Sequence, residues 1–220
     1  MKKTNAVIII VAVVIIIAGI FIYKNFNEEN RQPVLNLSLP ENIEESYIAD
    51  YNSAADKLRA NQDDYDALLT VARIKAWSED FSGALEAYQE MMRIKPEDLL
   101  PYFNSGDVYL SLKDYEKAAD MYEKVLEINP KWVNAYREIF SLYKFHLTSR
   151  YDDNIVDILN DGIEANFDEG SMVLSNFYAM LGVYYQENEN KDKAIENYKK
   201  ALELNPENNS IQTELDNLQK

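Results

Sequence analysis

Apolar residues fall into two regimes along the chain. Residues 6–23, AVIIIVAVVIIIAGIFIY, are eighteen apolar residues without a charge. At 1.5 Å per residue they make about 27 Å of helix, close to the hydrocarbon thickness of a bilayer. Further on, apolar positions recur at three- and four-residue spacing, the mark of amphipathic helices. This second pattern repeats. Ala72, Phe81, Ala84, Tyr88 and Pro96 return 34 residues later as Gly106, Tyr115, Ala118, Tyr122 and Pro130. The same offset joins Leu68 to Tyr102, and Tyr102 and Tyr109 to Tyr136 and Tyr143. A further copy carries Tyr178, Leu181, Gly182, Tyr185, Ala194, Tyr198, Ala201 and Pro206, each 76 residues after its counterpart, which is two periods plus eight.

Ile155, Leu159 and Gly162 follow Ala118, Tyr122 and Val125 by 37, so three of the eight extra residues fall between the helices of the third copy. The other five precede the fourth. Each copy is expected to be two antiparallel helices. Small Ala72, Gly106 and Gly182 would allow close approach of Ala84, Ala118 and Ala194, while Pro96, Pro130 and Pro206 stop each second helix. The first copy departs at Lys75, and the third has Phe140 at a small-residue position and no final proline.

This pattern resembles the tetratricopeptide repeat, W-x2-L-G-x2-Y, then A-x3-F, then P, over residues 65–208. The resemblance implies an all-α solenoid of helix hairpins wound as a right-handed superhelix, preceded here by one N-terminal transmembrane helix. The expected organisation is a basic tail at 1–5, an anchor at 6–23, a polar linker at 24–42 and a repeat domain at 43–220. Within the domain an N-terminal helix is expected at 43–60, repeats at about 65–98, 99–132, 133–169 and 175–208, and a capping helix at 209–219. Ile43, Tyr47, Tyr51, Ala54 and Leu58 supply the stripe of the first helix, and Ser38 with Glu41 reads as its capping box. Ile211, Leu215 and Leu218 supply the inward face of the last.

Lys2, Lys3 and Lys24 lie in the first 24 residues, which contain no acid, so the remainder carries 19 basic against 38 acidic side chains. Such a surface repels phosphate backbones and argues against nucleic acid as a partner. The basic leader places the N-terminus in the cytoplasm, making this a single-pass membrane protein whose domain lies outside, in the periplasm or at the cell surface. A cleaved signal peptide is the rival reading, but residues 18–24, AGIFIYK, offer no small-x-small site. There is no cysteine, which removes disulfides, thiolate metal sites and a cysteine nucleophile.

Phosphate-cradling, nucleophile-elbow and zinc-helix motifs do not occur. His146 is the single histidine. Asp157, Asp161 and Gly162 hint at a calcium loop, but Leu159 takes a required oxygen position, and the stretch reads as helix. Paired acids such as Asp63 and Asp64 suit helix starts. The expectation is therefore no enzyme, no cofactor and no metal. A remote alternative uses carboxylates around the third copy and requires a deep pocket at His146.

What remains is a surface. The first helices carry a second stripe at four-residue spacing: Leu69, Arg73 and Trp77; Phe103, Asp107 and Leu110; Arg137, Ser141 and Lys144; Ala179, Val183 and Gln186. In the resembled family this stripe lines the concave groove. Trp77 and Phe103, with Phe145 beside them, and Arg73, Arg137 and Lys144 would make an aromatic and basic trough suited to an acidic peptide. Leu69 and Glu138 stand where the family's clamp for C-terminal carboxylates needs basic residues, so that clamp is not expected. The function implied is a scaffold, adaptor or assembly factor that binds a partner protein or peptide. The alternative is a structural subunit of a larger membrane or envelope complex with its groove permanently filled.

Overall fold

The computed structural model describes residues 35–220, the side chains of residues 152 and 153 excepted. Among them are ten α-helices and no strands: α1 (Glu45–Ala60), α2 (Tyr65–Trp77), α3 (Phe81–Ile94), α4 (Leu100–Ser111), α5 (Tyr115–Ile128), α6 (Val133–Phe145), α7 (Thr148–Ala165), α8 (Ser171–Glu187), α9 (Lys191–Leu204) and α10 (Asn209–Leu218). Residues 39–220 form one compact unit in which each helix packs chiefly on its neighbours in sequence. The apolar run at 6–23 lies outside the described residues. Among the described residues no helix is long and apolar enough to cross a membrane.

The turns inside the hairpins share one construction. Glu79, Lys113 and Glu189 sit at equivalent positions with φ of 62°, 60° and 56°, the left-handed conformation that ends a helix. The next residue, Asp80, Asp114 or Asn190, donates its N–H back to the carbonyl of Lys75, Tyr109 or Tyr185 at 2.8–2.9 Å. Its side chain then caps the following helix, accepting from the N–H of Gly83, Lys117 or Lys193. One residue thus closes the first helix and opens the second. The second helices end at Ile94, Ile128 and Leu204, followed by a cap and then by Pro96, Pro130 and Pro206.

Seven of the sixteen tyrosines lie in the core. Tyr51, Tyr88, Tyr122, Tyr136, Tyr143, Tyr151 and Tyr198 are all buried. Their rings fill the seams, and several hydroxyls reach an acceptor at the rim: Tyr122 donates to Asp107 at 2.6 Å, Tyr151 to Glu187 at 2.9 Å, Tyr198 to Gln186 at 2.7 Å and Tyr136 to the Pro130 carbonyl at 2.9 Å. At Gly106 and Gly182 the nearest neighbour across the hairpin is one of these rings. A Cβ on Gly106 would lie 2.5 Å from the Tyr122 ring, and one on Gly182 equally close to Tyr198.

Two sequence expectations are corrected here. Ser38 does not cap α1: the helix begins seven residues later, Glu44 provides no side-chain cap, and the Ser38 N–H binds Asn36 Oδ1 at 3.0 Å. The eight extra residues do not form loops. Only His146 and Leu147 separate α6 from α7, because the three-residue insertion adds a turn to the start of α7. The other five lengthen the start of α8, a 17-residue helix where α4 has 12. Helix absorbs the insertions because it satisfies their backbone groups internally. The longer α7 also brings Tyr151 into the core, edge-on to Phe140 at 5.7 Å.

Candidate functional site

The stripe along the first helices is continuous in sequence logic but uneven in space. Its open part lies between α2 and α4. Arg73 and Trp77 stand one turn apart on α2, with the guanidinium 4.7 Å from the indole centroid. Trp77 remains 55% exposed although Tyr47 of α1 lies against it, centroid to centroid 5.3 Å. A cleft of about 220 Å³ opens beside them. Trp77, Phe81 and Val108 form its apolar walls, and Arg73, Asn104 and Asp107 its polar rim.

Asp107 lies at this rim and accepts the Tyr122 hydroxyl at 2.6 Å. Partial enclosure raises the carboxyl above its ordinary value, and the Tyr122 hydrogen bond only partly offsets this. On α6 the half-buried Glu138 is raised too, first by burial and then by Asp107, against the pull of Arg137. The groove therefore carries the acids Asp107 and Glu138 beside the exposed cations Arg73 and Arg137. Lys144 is tied to Glu187 at 2.7 Å, which removes its charge from the stripe.

Other members of the stripe serve packing. Phe103 is half-buried, 5.3 Å from the Tyr122 ring and edge-on to Trp132 at 6.3 Å, so it is a wall of the core and not an exposed anchor. Leu110 packs on the same cluster. Val183 and Ala179 pack on the small cluster centred on Tyr198, Ile211 and Leu215. Gln186 is held between Tyr198 and Glu214 at 2.7 and 3.1 Å, so α10 occupies that end of the stripe. Leu69 is partly buried, while Arg137 and Ser141 are exposed on α6. Phe145 is 66% exposed, with the Lys144 ammonium 5.3 Å from its centroid.

Arg73, Trp77 and Asp107 are thus the predicted residues that one cleft unites. Phe81 and Asn104 lie off the four-residue stripe, and Tyr47 belongs to the helix before the repeats. Repeat-based spacing marks Phe81 as a repeat position, but it gives no signal that Phe81, Asn104 or Tyr47 adjoins this site.

Around the third hairpin a second cleft, of about 400 Å³, is lined by Glu123, Tyr143, Arg150, Asn154, Asp157 and Asp161. Arg150 reaches Glu116 at 2.8 Å, Glu123 at 3.3 Å and Asp120 at 3.4 Å. His146 is exposed, outside this cleft, and stacks on Tyr115 at 3.8 Å. The deep histidine pocket that the enzymatic alternative requires is not what surrounds it. Among the described residues no group of three or more acids and histidines is disposed to hold a metal.

Comparison with known proteins adds the following. Residues 101–131 and 175–208 match the model of the tetratricopeptide repeat. Over 108 residues the chain is 30% identical to the photosystem I assembly protein Ycf3 of Synechococcus, spanning 49% of this chain and 60% of that protein. Over 57 residues it is 35% identical to human tetratricopeptide repeat protein 28, spanning 26% of this chain but 2% of that one. Among solved structures, MamA from Desulfovibrio magneticus superposes with a TM-score of 0.53 at 21% identity, over 70% of this chain and 82% of that one. The C-terminal part of a repeat-containing protein from Cytophaga hutchinsonii gives 0.60 at 20% identity, over 74% and 64%. The fold is that of a tetratricopeptide-repeat solenoid, and two of its four hairpins, the second and the fourth, carry the repeat family's sequence pattern.

Proposed function

We propose that this chain is a membrane-anchored scaffold that holds a partner protein or peptide in the groove along its first helices. The observation that carries this reading is the cleft between α2 and α4, where an exposed tryptophan, a stacked arginine and the Asp107 carboxylate converge. A site meant only for packing would bury Trp77. Its 55% exposure leaves a large aromatic face for a ligand. The relative named for photosystem I assembly supports an assembly role in kind, with no implication for the partner. Residues 6–23 supply the anchor, and the basic leader favours a domain on the extracytoplasmic side.

The test is crosslinking capture with the full-length protein in its membrane, comparing the native chain with Trp77→Ala/Arg73→Glu. Both side chains are exposed, so the helices are expected to survive the change. A specific partner lost in the variant supports the groove. A partner set that is unchanged moves the function to another face. Because the chain has no cysteine, Gln219→Cys adds a unique thiol. Its labelling by an impermeant maleimide in intact cells is the expected result, and labelling only after lysis would reverse the orientation.

A further inference from the structure

Single exposed apolar residues are ordinary on a folded surface, but three of them here recur at one place in successive hairpins. Trp77 ends α2, Leu112 caps α4 and Phe145 ends α6, and they are 55%, 48% and 66% exposed. Contacts run along the edge that holds them. Tyr47 of α1 lies 5.3 Å from Trp77, Trp77 shares a cleft with Ser111 beside Leu112, and Tyr115 stacks at 3.8 Å on His146 beside Phe145. In the fourth hairpin Glu187 takes the matching place and the apolar row ends.

The same edge receives the chain from its N-terminal side. Tyr47 belongs to the first turn of α1, so the segment before that helix arrives next to Trp77, and its Leu39 is exposed as well. Residues 24–44 separate the apolar run at 6–23 from α1, a span of at most about 70 Å. Along the chain this edge is therefore the part of the repeat domain closest to the anchor. A tether of that length keeps even a weak lipid contact at high effective concentration. The other large exposed apolar side chains, Leu100, Phe167 and Met172, lie where second helices give way to first ones, at the opposite edge.

Charge does not carry such a contact. Arg73 and Lys113 are exposed at the turn edge, with Arg73 on the Trp77 ring, but Glu44, Glu45 and Glu79 are exposed there too. Lys75, Lys117, Lys144 and Arg150 are held by Asp80, Asp114, Glu187 and Glu116. No surplus of positive charge remains, and the formal net charge of the chain is −16. The edge offers a bilayer a row of aromatic and aliphatic side chains set among polar groups, the make-up of an interfacial anchor.

We infer that the hairpin-turn edge of α1–α6 is a lipid-contacting surface, where Leu112 and Phe145 insert into the interface of a zwitterionic bilayer and Trp77 stands at the border between lipid and cleft. This rests on residues 6–23 being the membrane anchor.

The experiment uses the cysteine-free chain, full length, with one added thiol, Thr148→Cys or Glu164→Cys, labelled with an environment-sensitive fluorophore and reconstituted in phosphatidylcholine nanodiscs. Both sites are exposed and stand near the two ends of α7, about 24 Å apart. Brominated lipid is expected to quench the Thr148 probe several-fold more than the Glu164 probe. Leu112→Ser/Phe145→Ser, with circular dichroism as the fold control, is expected to bring the Thr148 probe down to the Glu164 level. Phe145→Ser alone should move it in the same direction, which keeps the test decisive if the double variant misfolds. Equal quenching at the two ends, stronger quenching at Glu164, or quenching that persists in the variants overturns the inference. So does quenching that appears only when phosphatidylglycerol is added, since that would make the contact electrostatic. Co-elution with nanodiscs on gel filtration separates the two readings. A chain that fails to co-elute refutes the anchor and the docked edge with it, whereas a co-eluting chain whose Thr148 probe is unquenched refutes the docked edge alone.

Discussion

Lys75 stands where the other hairpins place Tyr109, Tyr143 and Tyr185, and its surroundings show how one exception is absorbed. In the second hairpin the cation comes from the other helix: Lys117 sits 5.4 Å from the Tyr109 centroid and 2.7 Å from Asp114. In the first, Gly83 takes the place of Lys117, and Lys75, 1% exposed, reaches the equivalent carboxylate of Asp80. A side chain at Gly83 would collide with the Lys75 ammonium. Ammonium and carboxylate are kept while their carriers are exchanged. Lys75→Tyr alone is expected to leave Asp80 without its cation, and Gly83→Lys alone to crowd Lys75. Together they rebuild the second hairpin's arrangement. A double-mutant cycle by urea denaturation should show a favourable coupling of about 1–3 kcal/mol, and simple additivity would refute the exchange. Burial pushes the Asp80 carboxyl up, but Lys75 and the Gly83 N–H outweigh it and hold it below its ordinary 3.8. Its stabilisation is therefore present above that pH and lost as pH falls through the lower folded value. Lys75 was legible as an anomaly, but its partner was not, since the repeat pattern assigns no role to Gly83.

At the scale of the element, the hairpin turns carry a penalty that the sequence accepts three times. Glu79, Lys113 and Glu189 are left-handed with a Cβ, which costs roughly 1–2 kcal/mol each, whereas glycine would give back about 0.5–1 kcal/mol through its greater freedom when unfolded. Lys113→Gly is therefore expected to stabilise the domain by about 0.5–1 kcal/mol in chemical denaturation, and destabilisation would show that the lysine side chain does more than the backbone argument allows. Periodicity located every hairpin helix, because 34-residue self-similarity and 3.6-residue spacing reinforce each other. It located the insertions too, but counting residues cannot say whether extra ones loop out or extend a helix. Phe103 failed for a related reason: spacing sets the side of the helix, but Trp132, which covers it, comes from the start of the next hairpin.

For the molecule as a whole, the tyrosine seams set a limit at high pH. Burial pushes Tyr51, Tyr88, Tyr136, Tyr143 and Tyr198 each up to about 12 from 10.0. A raised folded value means stability that is intact below pH 10 and lost as pH climbs toward 12. Titration followed at 295 nm should show a step near pH 12 that coincides with the loss of helical ellipticity. Separate transitions would mean that the seams admit water without unfolding.

The shared cap residue has a kinetic reading as well. Where one aspartate both ends a helix and starts the next, the two helices of a hairpin cannot slip against each other by a residue without losing both roles. Each hairpin is then a short loop closure, and most helix packing joins elements already adjacent in sequence. Chains built of such local steps fold fast for their size. Fast closure shortens the time the tyrosine seams of this domain stay open to other chains.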